Sequence, residues 1–230
     1  MQGLLGGFAN GDPSAIQRRR TSYPFAAFVA SLSPKVWLDA TGLAPGLLDT
    51  WPNLGSAGDV TAAGAARPTA TSGTEVTFSG GQRMDTPSFS MGARSSGSVA
   101  MRQGADYSGP LSFGPVNEHS TIYSFGGALS NRTTAAPDCT TPQPSAPPYD
   151  IVISWSYDTS GGTVIFGATS VARPAAASLV GVTSTLRVGD AQSTGALLTG
   201  AVRELVFVDA AISGADLTAL HSGMRAKCGI

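Results

Sequence analysis

Glycoside hydrolysis needs an acid and a second carboxylate about 5–10 Å apart, and the only glutamates available for that task are Glu75, Glu118 and Glu204. None has an acidic neighbour at strand spacing, so paired-carboxylate chemistry is not expected. A serine triad would have to recruit His119 or His221, and no Gly-x-Ser-x-Gly turn accompanies either of them. His221 lies beside an apolar helical stripe and reads as a packing or surface histidine. Cys and His do not cluster at metal-ligand spacing, and no phosphate-cradling glycine motif is present. Gly126 and Gly127 follow a strand with no helix behind them to aim a dipole at phosphate. The expectation is a protein with no catalytic residues, no cofactor and no metal site.

Contact chemistry is similarly sparse. A net charge of −1 creates no global field for nucleic acid or an anionic membrane, and Arg18, Arg19 and Arg20 are too few for direct nucleic-acid binding. Without a run of about 18 apolar residues, membrane insertion is not expected. Trp51, Trp155 and Tyr107 could stack on sugars, although Trp37 and Trp155 sit in apolar strands that suit a core. Cys139, in a Pro/Thr segment, and Cys228, near the end, are expected to be unpaired thiols.

The elements that would position these groups read as mainly β. With 29 glycines, 15 prolines and only 13% charged residues, turns between short strands fit better than a helical bundle. Alternation and β-branched content place strands at 36–39, 75–79, 83–86, 97–102, 120–125, 150–157, 163–168, 184–188 and 202–209. A hairpin turn is expected at 158–161, and 133–148 reads as a long, exposed Pro-rich loop. Ser213 caps a helix over 215–227, with Asp216 in its first turn, Arg225 and Lys227 in its last, and Leu217, Leu220 and Met224 as its apolar stripe.

Residues 37–40 (WLDA), 51–58 (WPNLGSAG), 67–68 (RP) and 78–84 (FSGGQRM) resemble the opening segments of concanavalin A-like, LamG-type domains. Residues 187–190 (RVGD), 200–213 (GAVRELVFVDAAIS) and 226–230 (AKCGI) are similar to their closing segments. Ser79 and Cys228 depart from the pattern, standing where Asp and Tyr are common, and Ser79 weakens any calcium site the resemblance would bring. The resemblance implies a two-sheet antiparallel jelly-roll sandwich over 34–230, ending in a short helix.

Residues 1–33 form an extension with a helix starting near Thr21 and Pro24. Its Leu4, Leu5, Phe8, Phe25 and Phe28 would each gain about 1.5–3 kcal/mol on burial, so the arm is expected to pack on its own domain or on a partner. Leu4, Leu5, Phe8, Arg18, Arg19, Arg20, Phe25 and Phe28 are the expected partner-docking residues. With no export signal recognised, the layout suggests a structural component of a tailed phage or phage-like virion. Its partners would be other virion proteins or copies of itself, with host glycan adhesion by the sandwich. The second class is a secreted bacterial carbohydrate-binding or adhesion module, located outside the cell.

Overall fold

The computed structural model describes residues 24–92, 94–106, 108–113, 120–125, 127–133, 136–175, 180–191 and 196–230. Leu4, Leu5, Phe8, Arg18, Arg19 and Arg20, together with Tyr107, Glu118 and His119, lie outside the described residues. Two antiparallel sheets face each other across one core. The first runs Thr169–Arg173, Gly161–Phe166, Tyr149–Asp158, Ser95–Gln103, Thr199–Val208, Glu75–Ser79, Thr69–Thr71, Gly46–Leu47. The opening strand Val36–Asp39 also pairs with the closing strand Thr199–Val208, joining Val36 to Phe207 and Asp39 to Glu204. The second sheet runs Ala136–Pro142, Ala128–Thr133, Ser120–Phe125, Leu111–Phe113, Leu186–Val188, Met84–Asp85, Val60–Thr61, Thr50–Trp51. This is a mainly β jelly-roll sandwich with a C-terminal helix.

Alternation decides which side chain enters which layer. Leu38, Val202, Leu205 and Phe207 point between the sheets, where Phe113 packs edge-on to Phe207 at 4.8 Å and beside Trp155 at 6.3 Å. Trp37, Val152, Val206 and Val208 point the other way, into a second apolar layer beneath two helices. Because both faces are covered, the closing strand reads as a nearly unbroken apolar run.

The C-terminal helix Gly214–Cys228 is capped as its sequence dictates. Ser213 Oγ accepts from the Asp216 N–H at 3.0 Å, and Gly229 ends the helix in the left-handed conformation. Leu217, Leu220 and Met224 are buried, and so is His221. The His221 Nε2 lies 2.7 Å from the Gly167 carbonyl and must donate to it, leaving Nδ1 to accept from Ser154 Oγ at 2.9 Å. The N-terminal helix Pro24–Ser31 starts with its proline in the first turn and buries Ala26 and Val29. Its Phe25 ring lies over Gly223, where a Cβ would collide with it.

Several expectations change in detail. Segment 133–148 is not simply a loop: Ala136–Pro142 is a strand beside Ala128–Thr133. It forms the rim of its sheet, where a residue without an N–H is tolerated, so proline content misled the reading. The expected strand at 83–86 is only Met84–Asp85, and 184–188 divides into Thr183–Ser184 and Leu186–Val188. The hairpin after Tyr149–Asp158 forms as expected, with Asp158 opposite Gly161 and Gly161 at φ +113°. Cys139 and Cys228 are unpaired.

Candidate functional site

The closing strand changes partner halfway along. Residues 199–202 pair with Glu75–Ser79, whereas 204–207 pair with the opening strand. On its other side the register against Ser95–Gln103 shifts between Val202 and Glu204, which makes Arg203 the extra residue of a β-bulge. Successive residues of a regular strand point to opposite faces. Here Arg203 and Glu204 line one cleft together.

That cleft, roughly 570 Å³, lies on the outer side of the first sheet at the last turn of the C-terminal helix. Asp39, Glu75, Arg102, Asp150, Arg203 and Glu204 reach it from five strands, and Lys227 from the helix. Thr41, Ser72 and Thr74 add hydroxyls. Arg203 is held on three sides. Its NH2 group meets both carboxylate oxygens of Asp150 at 3.1 Å, its Nε lies 3.6 Å from Glu75, and its NH1 donates to the Cys228 carbonyl at 3.2 Å. The more exposed Arg102 reaches the same two acids, at 3.3 Å to Asp150 and 3.5 Å to Glu75.

Deeper in, Lys227 Nζ bridges Asp39 Oδ2 at 2.9 Å and Glu204 Oε2 at 2.8 Å. The remaining oxygens are also engaged: Trp37 Nε1 donates to Glu204 Oε1 at 2.9 Å, and the Thr41 N–H to Asp39 Oδ1 at 2.8 Å. These two carboxylates are 4% and 1% exposed, whereas the Lys227 side chain is 29% exposed. Burial drives the Glu204 carboxyl up, and Lys227 and Trp37 only partly offset it. For Asp39 burial also pushes upward, but Lys227 and Thr41 prevail and hold it below the usual range. Burial works to lower Lys227, and the two acids reverse that. Burial, then Glu204, pushes the Cys228 thiol up to about 12, so it stays protonated and unreactive.

The structure gathers Glu75 and Glu204 with Asp39 and Asp150, although no acidic neighbour was visible in sequence. Trp51 and Trp155 are fully buried in the core and offer no face to a ligand. This corrects the reading of Trp51 as a sugar-stacking candidate, whereas Trp155, like Trp37, is the core residue its apolar strand suggested. Phe25 and Phe28 are half-buried and pack on the chain's own second apolar layer. Asp39, Arg102, Asp150, Arg203 and Lys227 were missed as site residues. The one available signal was an acid or base at the end of an otherwise apolar strand, as in residues 36–39.

No protein-family model matches the chain, and comparison with curated proteins finds no match. Solved structures do share its fold. Domain 4 of AbnA, a GH43 extracellular arabinanase from Geobacillus stearothermophilus, in complex with arabinotriose, is 14% identical with a TM-score of 0.53 over 78% of this chain and 82% of that one. Trypanosoma rangeli sialidase is 13% identical with a TM-score of 0.61, over 93% of this chain but only 37% of the sialidase. The CBM40 of Ruminococcus gnavus IT-sialidase is 12% identical with a TM-score of 0.52, over 64% of this chain and 96% of that module. At these identities the shared property is the β-sandwich itself.

Proposed function

We propose that the chain is a carbohydrate-binding module that holds a neutral, hydroxyl-rich ligand in the charged cleft without cleaving it. The observation that carries this reading is the engagement of all four cleft carboxylates by cations. A glycosidase needs one carboxylic acid free to protonate the leaving oxygen and a second carboxylate free to attack or to activate water. Glu204, the acid with the raised pKa, is buried with both oxygens occupied, so it is poorly placed for that work.

What the cleft does present is a mixture of guanidinium donors, carboxylate acceptors and hydroxyls. Sugar hydroxyls, which both donate and accept, can use all three. Four acids against three bases leave no strong field for a charged ligand. The lining holds no aromatic side chain, so hydrogen bonds must supply the affinity, and each site should be weak. The likeness to an arabinanase domain in complex with arabinotriose and to a CBM40 module supports a sugar ligand. A LamG-type relationship and a virion setting extend the same proposal. Many copies on one particle would raise avidity about 10²–10⁴-fold, and either a virion surface or the space outside a bacterium is where glycans are met.

The purified protein, as free chain and displayed in multiple copies, should bind neutral oligosaccharides on a glycan array and release no reducing sugar from polysaccharides. Reducing-sugar release abolished by Glu75→Gln or Glu204→Gln would replace this reading with a hydrolase. Silence of the multivalent array would remove the sugar.

A further inference from the structure

We infer that the N-terminal helix is exchanged between two copies of this chain, each helix seating on the other copy's C-terminal helix. Ser33 is the hinge. It joins Pro24–Ser31 to Pro34 and the opening strand, and its φ is +51°, in the left-handed region that glycine enters freely and other L residues do not. Proline at 34 adds a second conflict, because it pushes the residue before it towards extended backbone. The Ser33 N–H bond to the Ala30 carbonyl, at 3.0 Å, closes the left-handed turn against both preferences. An extended Ser33 relieves both and carries the helix away from its own domain.

The seat then left open is apolar and specific. Ala26 and Val29 pack against a layer containing Trp37, Val206, Val208, Leu220 and Met224, and Phe25 fits the notch at Gly223. The identical helix of a second copy reproduces every one of these contacts. Closed monomer and exchanged dimer therefore differ chiefly in the hinge and in the entropy of association, the condition under which domain exchange costs little. Relief at Ser33 favours the dimer, and rising concentration adds to it.

The test uses the full chain. Ser33→Pro fixes φ near −65° and excludes the closed hinge, while Ser33→Gly removes the strain and favours it. Light scattering after gel filtration should give twice the monomer mass for the native chain as its concentration rises and for Ser33→Pro, at concentrations where Ser33→Gly remains monomeric. A native chain that stays monomeric throughout overturns the inference. Exchange is separated from mere undocking by mixing chains that carry Phe25→Cys with chains that carry Gly223→Cys and Phe25→Ala, the second change making room for the new side chain in its own seat, all with Cys228→Ser. A cross-chain disulfide should form in the Ser33→Pro background and stay at least tenfold scarcer with Ser33→Gly. A monomeric Ser33→Pro chain without that disulfide, whether its helix is loose or seated, overturns the inference.

Discussion

Replacing Lys227 by methionine keeps the length of the side chain and removes the cation between Asp39 and Glu204. Both carboxylates are almost fully buried, and Lys227 Nζ approaches each within 2.9 Å. Losing one partner of such a buried group costs about 3–5 kcal/mol, a large part of the roughly 5–15 kcal/mol that holds a typical domain folded. At about 2–4 °C per kcal/mol for a chain of this size, the melting temperature should fall by about 6–20 °C. The deficit should also depend on pH. In the native chain Asp39 is held below its unfolded value of 3.8, so its contribution is present above that value and is lost as pH falls through the folded pKa. Lys227 is raised above 10.5, so its contribution is present below that pH and is lost as pH rises through the folded value. Without the lysine, burial and the mutual repulsion of the two carboxylates should outweigh the Thr41 and Trp37 hydrogen bonds and raise both acids. The folded variant then binds protons that the unfolded chain does not, and gains stability as pH falls from 7 towards 5. Urea unfolding at pH 7, 6 and 5 should show a deficit that narrows with acidification. Adding Asp39→Asn and Glu204→Gln should recover part of it, as expected for coupled sites. A Lys227→Met chain within 1 kcal/mol of native at pH 7, or a deficit constant over this range, would refute the view that the cluster is a buried, lysine-compensated pair.

Two further outcomes follow from other layers of the fold. Leu205 is fully buried between Leu38 and Val99 in register; Leu205→Asp would bury an unpaired charge, and soluble protein with native circular dichroism and melting temperature would show that this strand is not core. Burial, followed by the charge of Arg225, lowers the pKa of His221 below 6.5 against the opposing Gly167 bond, so its stabilising contribution is present above 6.5 and is lost as pH falls through the folded value. The urea midpoints of native protein and His221→Gln should converge on acidification, and a gap that widens towards pH 5 would contradict the buried neutral imidazole.

The sandwich was legible in sequence where a single strand or helix carries its own signal. Residues 202–209 are apolar because both faces of that strand are covered, and Ser213 announces the helix because its hydroxyl has one local job. The closing pair of strands follows from these two ends of the chain. The Pro-rich segment was misread because composition does not distinguish an exposed loop from a sheet rim. Trp51 illustrates a similar limit: a tryptophan in a polar, turn-rich context reads as exposed, yet it fills the core. The cleft was not legible because its residues, from Asp39 to Lys227, meet only through sheet register. The Arg203 bulge, which turns two successive charges to one side, has no local signature at all. Glu75 and Glu204 lack acidic neighbours along their strands and acquire them across strands.

Calorimetric titration of native protein and Arg102→Ala with neutral oligosaccharides, arabinotriose among them, tests the central claim most directly. Arg102 is the exposed guanidinium of the cleft, and its ion pairs, in water-accessible positions, contribute at most about 1 kcal/mol to stability. A charge-assisted hydrogen bond to a ligand is worth about 1.5–3 kcal/mol, or about 10–150-fold in affinity. The account predicts saturable heat for at least one neutral sugar with native protein, and a loss of that size for the folded Arg102→Ala chain. Equal binding by both chains would place the sugar elsewhere on the sandwich and contradict the cleft as the site.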